Sequence, residues 1–188
     1  MSFMTPDEIA VLGFRHVGAN CLLSSKASFY NCSNISIGNN VRIDDFCVLS
    51  AGEGGIDIGN YIHIAVYSSL IGKDLITLKD FSNISSKVSI YSSNDDYSGL
   101  TMTNPMVPEE FKNVSHAPVI IDKHVIIGSG SIVLPGCRIH IGSAVGALSL
   151  VTKDIPEFEI HTGVPARKMK KRNKNLLDLE QEFRDKIK

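Results

Sequence analysis

The chain has 188 residues, the size of one ordinary domain, and its 19 Lys and Arg nearly cancel its 20 Asp and Glu. That balance excludes a global basic field for nucleic acid and the acidic bias of disordered chains. No apolar run spans a bilayer, and Asp7 and Glu8 stand where a signal peptide carries positive charge, so we expect no membrane association and a cytoplasmic location. Cys21, Cys32, Cys47 and Cys137 form no C-x-x-C pair, so they read as reduced, space-filling thiols.

In chain order, Thr5-Pro6-Asp7-Glu8 comes first. A hydroxyl cap, a proline in the first turn and acids at the positive end of the dipole predict a short helix over 6–13. A repeat follows. Steps of six give Val17, Leu23, Phe29; then Ile37, Ile43, Leu49; Ile58, Ile64, Leu70; and Leu78, Ile84, Ile90. After a gap the run Ile121, Ile127, Val133, Ile139, Val145, Val151 needs no reset, and 17 of the 18 positions are Ile, Leu or Val. Four residues after most of them stands a small side chain, as at Cys47, Ser68, Ser131, Cys137, Ser143 and Ser149. A helical stripe returns every three or four residues, so this period is not helical. It fits a short strand and a tight corner, with Gly38-Asn39-Asn40 and Gly59-Asn60 suited to positive φ. Three units make a coil, and six coils make an all-β parallel β-helix over 17–156.

Between Ile90 and Ile121 the repeat stops. The segment 94–118, with Asn104-Pro105 and Pro108, reads as a long ordered loop and the first place to look for a site. At the far end, Leu176, Leu177, Leu179, Phe183 and Ile187 among charges predict an amphipathic helix over 173–187. Both terminal helices read as caps on one domain, 1–188.

These hexads, with Val151-Thr152-Lys153-Asp154-Ile155-Pro156 and Gly163-Val164-Pro165-Ala166-Arg167, resemble the hexapeptide-repeat acyltransferases, in the branch of galactoside, maltose and O-antigen acetyltransferases. The resemblance implies a left-handed β-helix, an exception to the right-handed crossover rule, and a homotrimer with active sites between subunits. It implies acetyl-coenzyme A as cosubstrate, a sugar acceptor and no metal. The coenzyme positions fall on Ser129, Ala147, Thr152, Lys153, Arg167 and Lys170, with Lys168, Lys171 and Arg172 as further cations for its phosphates. The basic run has no interleaved aromatics of the kind that bind nucleic acid.

The family's catalytic histidine opens the protruding loop. Aligned on Asp96-Tyr97, that place holds Asp95. The stretch Asp95-Asp96-Tyr97-Ser98-Gly99, with Thr103-Asn104-Pro105 and Val107-Pro108-Glu109-Glu110, is similar to a subgroup that acylates dTDP-linked 4-amino-4,6-dideoxy sugars. A sugar hydroxyl needs a base with a pKa near working pH; histidine, about 6.5, suits, and an aspartate, about 3.9, does not. An ammonium instead needs a partner that orients it and relays a proton, which an aspartate supplies. We therefore expect N-acetylation of a nucleotide-linked amino sugar, as in surface-polysaccharide biosynthesis, with Asp95 catalytic. The alternatives are O-acetylation, with His116 as base, a turn-forming role for Asp95, and a non-catalytic solenoid that only binds.

Coil register places Glu53, Asp74 and Asn94 on one edge beside Asp95, suited to a cationic amine, or alternatively as solvated turn residues. Asp44, Asp96, Tyr97 and His116 complete the candidate acceptor set. His63, His124 and His140 flank inward positions and read as outward surface side chains, and the spacing of His116 and His124 does not suit a metal.

Overall fold

The computed structural model describes residues 2–187. Strands of two to five residues cannot bury a face alone, and here they stack into three parallel sheets that form the sides of a triangular prism. In each strand one large aliphatic of the six-residue repeat points inward, and on the first side Ile35, Ile56, Ile76 and Val119 point inward with it. Val17, Ile37, Ile58, Leu78, Ile121 and Ile139 lie in register on the first side. Leu23, Ile43, Ile64, Ile84, Ile127 and Val145 do so on the second side. Phe29, Leu49, Leu70, Ile90, Val133 and Val151 do so on the third. All but Val17 and Phe29, at the open end, are buried, and each is stabilised by about 1.5–3 kcal/mol on leaving water. The architecture is the expected left-handed parallel β-helix.

The helix runs slightly past the expected six coils. Ile155 bridges Ile139, and Glu159–Thr162 adds a parallel strand beside Ala144–Val145, which makes two sides of a seventh turn. Arg167–Lys171 then folds back antiparallel on Glu159–Thr162 and ends the growth of the sheet. The N-terminal helix is Pro6–Val11, shorter than 6–13, and Thr5 and Glu8 form a reciprocal capping box.

Corners depart from the expected chemistry. The residue before the inward corner position takes positive φ, but it is often aromatic: Phe46 at 62°, Tyr61 at 56°, Tyr67 at 61° and Phe81 at 60°. Bulky residues rarely adopt this conformation. Stacking compensates, because coils rise along one axis and bring equivalent rings face to face. On the edge between the first and second sides, Tyr61 and Phe81 stack at 5.1 Å, and Phe81 and His124 stack at 5.1 Å.

The C-terminal helix, Leu176–Lys186, covers that ladder along its edge and does not cap the end of the prism, as the amphipathic pattern alone suggested. Phe183 crosses Tyr61 and Phe81 at 90° and 88°. Glu180 is buried beneath the helix with Lys123 Nζ at 2.5 Å, His124 Nε2 at 2.6 Å and Arg184 Nε at 2.5 Å. His124 is thus 11% exposed and hydrogen-bonded to Glu180, not an outward surface side chain. His63 and His140, more open to water, lie against the carboxylates of Asp44 and Asp122. Arg172 Nη1 donates to the carbonyls of His124, Gly142 and Ser143 at 2.9, 3.0 and 3.1 Å, so this expected phosphate-binding cation also ties down the end of the edge.

Burial pushes the Glu180 carboxyl up, but hydrogen bonds from Lys123, His124 and Arg184 outweigh it and bring its pKa down to about 2. The lowered value means the stabilisation is complete above the ordinary carboxylate pKa of 4.5 and is lost as pH falls towards about 2. We expect hydrogen exchange of helix 176–186 to accelerate over that window. Glu180→Gln should remove the pH dependence and cost about 2 kcal/mol in urea unfolding at neutral pH.

Candidate active site

The repeat is interrupted after Tyr91, at the edge between the third and first sides. There the edge residues pack so tightly that a Cβ on Gly72 would lie 2.1 Å from Ser92 Oγ. The buried Ser92 hydroxyl donates to the Asp74 carbonyl at 2.6 Å, and the Lys73 N–H donates to Ser93 Oγ at 2.8 Å. On this root the loop leaves as a short antiparallel ladder, Ser93–Asn94 with Ser115–His116. His116 Nδ1 is hydrogen-bonded to Ser93 Oγ at 2.8 Å.

Beyond the ladder, Asp96 organises the loop. Its carboxylate accepts from the Ser98 N–H and from Thr101 Oγ1, both at 2.8 Å, and these hydrogen bonds lower its pKa. Asp95 differs. It is exposed, and among the described residues its carboxylate has no hydrogen bond or ion pair. With Asn94 and Tyr97 it lines a cleft of about 740 Å³ whose floor is the outer surface of the third side, at Tyr91, Ile132, Leu134 and Leu150. The structure therefore joins a free carboxylate to an apolar floor. The floor was missed in the sequence, although the doublets Ile132-Val133 and Leu150-Val151 carry its signal: an apolar residue at a position that points outward.

Glu53 and Asp74 lie at the same edge on the two preceding coils, in step with Asn94. Glu53 Oε2 is 3.8 Å from Lys73 Nζ, and Asp74 Oδ1 accepts from the Leu75 N–H at 2.7 Å. This edge is therefore mixed in charge, not purely acidic, because Lys73 stands between the acids. Asp44 is elsewhere, on the edge between the second and third sides, 4% exposed, with Arg42 Nε at 2.7 Å and His63 Nε2 at 2.8 Å. Burial raises its pKa, but those two partners more than offset it and the net shift is downward. Within one chain Asp44 does not line the Asp95 cleft.

The candidate coenzyme residues flank the third side. Ser129 and Ala147 occupy successive corners of the second-to-third edge, where the Leu148 N–H donates to the Ser129 carbonyl at 2.9 Å. Gly128, next to Ser129, has no space for a side chain, since a Cβ would sit 2.5 Å from the Ala147 nitrogen. On the opposite edge, Thr152, Lys153, Ala166 and Arg167 line a cavity of about 450 Å³. Lys153 and Lys170 are exposed and make no ion pair among the described residues, whereas Lys168 pairs with Glu159. One edge thus presents backbone and small side chains, and the other presents Lys153 and Arg167, while Lys170 lies opposite Ile160 at the end of the second side.

No family profile matches the chain. A dTDP-4-amino-4,6-dideoxy-D-glucose acyltransferase of Escherichia coli is 58% identical over 98% of this chain and 96% of its own length. A putative lipopolysaccharide biosynthesis O-acetyl transferase of Escherichia coli K12 is 32% identical over 81% of this chain and 76% of its own. Among solved structures, a serine-to-cysteine variant of AntD, an N-acyltransferase from Bacillus cereus in complex with dTDP-4-amino-4,6-dideoxyglucose and coenzyme A, superposes with a TM-score of 0.95 at 46% identity over 98% of each chain. With its repeat in register and its loop opening on an aspartate, the chain belongs to the hexapeptide-repeat acyltransferases, in the dTDP-4-amino-4,6-dideoxyglucose acyltransferase family.

Proposed function

We propose that this chain, as a single domain, transfers an acetyl group from acetyl-coenzyme A to the amine of a dTDP-linked 4-amino-4,6-dideoxy sugar. The observation that carries the reading is the unpaired Asp95 carboxylate in the cleft, at the position where the galactoside branch has a histidine. The substrate named for the Escherichia coli relative and the ligands of AntD support it. Asp95 receives the sugar ammonium, orients it towards the thioester and passes one of its protons to solvent. The neutral amine then attacks the carbonyl carbon, the C–N bond forms as the C–S bond breaks, and the second amine proton goes to the leaving sulfur, so coenzyme A departs as the thiol. Asn94 and Tyr97 line the acceptor end, while Asp96 keeps the loop in shape. Ser129 and Ala147 hold the pantetheine arm, and Thr152, Lys153, Arg167 and Lys170 meet the phosphates. His116, fixed by Ser93, is the base to test if the acceptor is a hydroxyl. The name of the Escherichia coli K12 relative supports a role in surface-polysaccharide assembly, and we place the chain in the cytoplasm.

The acceptor and coenzyme residues divide between two edges, and a homotrimer would bring one subunit's loop against its neighbour's second-to-third edge. Sedimentation should therefore give three times the chain mass; a monomer at micromolar concentration argues against a shared site.

Lys153→Ala with Arg167→Ala should raise the KM for acetyl-coenzyme A at least tenfold and leave that for the sugar within twofold. Equal changes in both would mean that the cations do not read the coenzyme.

Asp95→Ala should lower kcat/KM by roughly ten- to a thousandfold, or about 1.4–4 kcal/mol, and Asp95→Asn should separate orientation from proton relay. His116→Ala should cost less. The deciding assay offers matched amino and hydroxy dTDP-sugars with acetyl-coenzyme A and follows thiol release. Turnover of the hydroxy sugar alone refutes the amine reading.

A further inference from the structure

The loop that carries Asp95 stands on two legs. They pair over two residues each, Ser93–Asn94 with Ser115–His116, and just below them the Ala117 N–H donates to the Ser92 carbonyl at 3.1 Å. Ser115 Oγ donates to the Asn94 carbonyl at 3.1 Å. Asp95 is the first residue beyond this ladder. Its carboxylate has no partner among the described residues, and the Asn94 amide donates to its carbonyl at 3.2 Å. The free carboxylate therefore takes its direction from the backbone at the loop root.

One side-chain atom joins both legs to the coil. Ser93 Oγ, on the outgoing leg, accepts from the Lys73 N–H of the coil beneath at 2.8 Å and lies 2.8 Å from His116 Nδ1 on the returning leg. A hydroxyl has one proton and two lone pairs. The Lys73 N–H takes one lone pair, and His116 Nδ1 is the one acceptor among the described residues that meets the hydroxyl proton. The imidazole thus accepts at Nδ1 and carries its own proton on Nε2. A proton on Nδ1 would set two N–H donors on one oxygen and leave the hydroxyl proton without a protein acceptor.

We propose that Ser93 and His116 are positioning residues for Asp95: the Nε2–H tautomer of His116 closes the loop root on the Ser93 hydroxyl, and this joint aims the Asp95 carboxylate at the acceptor amine. Both residues act through Asp95 and neither meets the reacting atoms. The same joint takes His116 out of base catalysis. A base needs a free lone pair, and here Nδ1 is occupied by Ser93 while Nε2 bears the proton. A reacting group displaced by about 1 Å can lose about a hundredfold in rate. His116 lies open to water, and one hydrogen bond lost there shifts the root less, by an amount that costs about three- to tenfold.

The inference rests on the amine reading, and the test separates the two. Nitrogen NMR of the substrate-free protein with labelled histidine should show His116 unprotonated at Nδ1 and protonated at Nε2. In assays with dTDP-amino sugar and acetyl-coenzyme A, Ser93→Ala and His116→Leu should each lower kcat about three- to tenfold and leave both KM values within twofold. The double variant should lose no more than either single one, because both changes break the same bond. His116→Asn, whose Oδ1 accepts from the Ser93 hydroxyl, should recover kcat to within twofold of wild type. In an Asp95→Ala background, His116→Leu should cost nothing further. A proton on Nδ1 overturns the joint. A loss carried by the KM for the sugar, one that Asn does not repair, or one that persists without Asp95 overturns the positioning role. Wild-type protein that shows the tautomer but does not acylate the amino sugar overturns the amine reading and, with it, the aim at an amine.

Discussion

Everything in this protein hangs on one repeated contact: an aliphatic side chain every sixth residue, stacked on its equivalent one coil away. The contact does two things together. It removes apolar surface from water, and it sets the strands in parallel register, because a slip of one residue would turn each aliphatic outward. The register then places every other residue. Outward side chains fall into straight columns along the sides and edges, so residues some twenty apart in the chain become neighbours. Function is written on those columns.

The edges bear most of it. A corner on the first-to-second and second-to-third edges demands a positive φ next to an inward residue, and it leaves the outward side chain unconstrained. Phe46, Tyr61, Tyr67 and Phe81 use that freedom at the expense of backbone strain, which stacking offsets. One edge is closed by the chain's own helix through a ring and a buried carboxylate. The third edge is interrupted to release a loop, and the hydroxyls of Ser92 and Ser93 tie the root of that loop to the coil beneath. A rigid solenoid thereby presents a projecting loop without moving its frame.

Within that loop adjacent aspartates do different work for a geometric reason. Asp96 points back and spends both carboxylate oxygens on Ser98 and Thr101, so it shapes the loop. Asp95 faces the cleft with its oxygens free. A carboxylate in this place is a poor base for a hydroxyl and a good partner for an ammonium, which is what the proposed amine acceptor calls for.

By itself the sequence determined the coil, its eighteen inward residues, the interruption that became the loop, and the membership that the hexads and the Val151–Pro156 and Gly163–Arg167 stretches announce. Those features are local or strictly periodic, and hydrophobic burial leaves them one arrangement. Only the tertiary structure decided that the C-terminal helix lies along an edge, since an amphipathic stripe states that a face is buried but not against what. It also decided that His124 is buried with Glu180, that Arg172 reaches three carbonyls through Nη1, and that Lys73 interrupts the acidic edge. Asp44, one of the candidate acceptor residues, stands on a different edge from Asp95. Such assignments depend on which side chains meet across coils and under the terminal helix, where charge pairing and shape, not periodicity, select the partner.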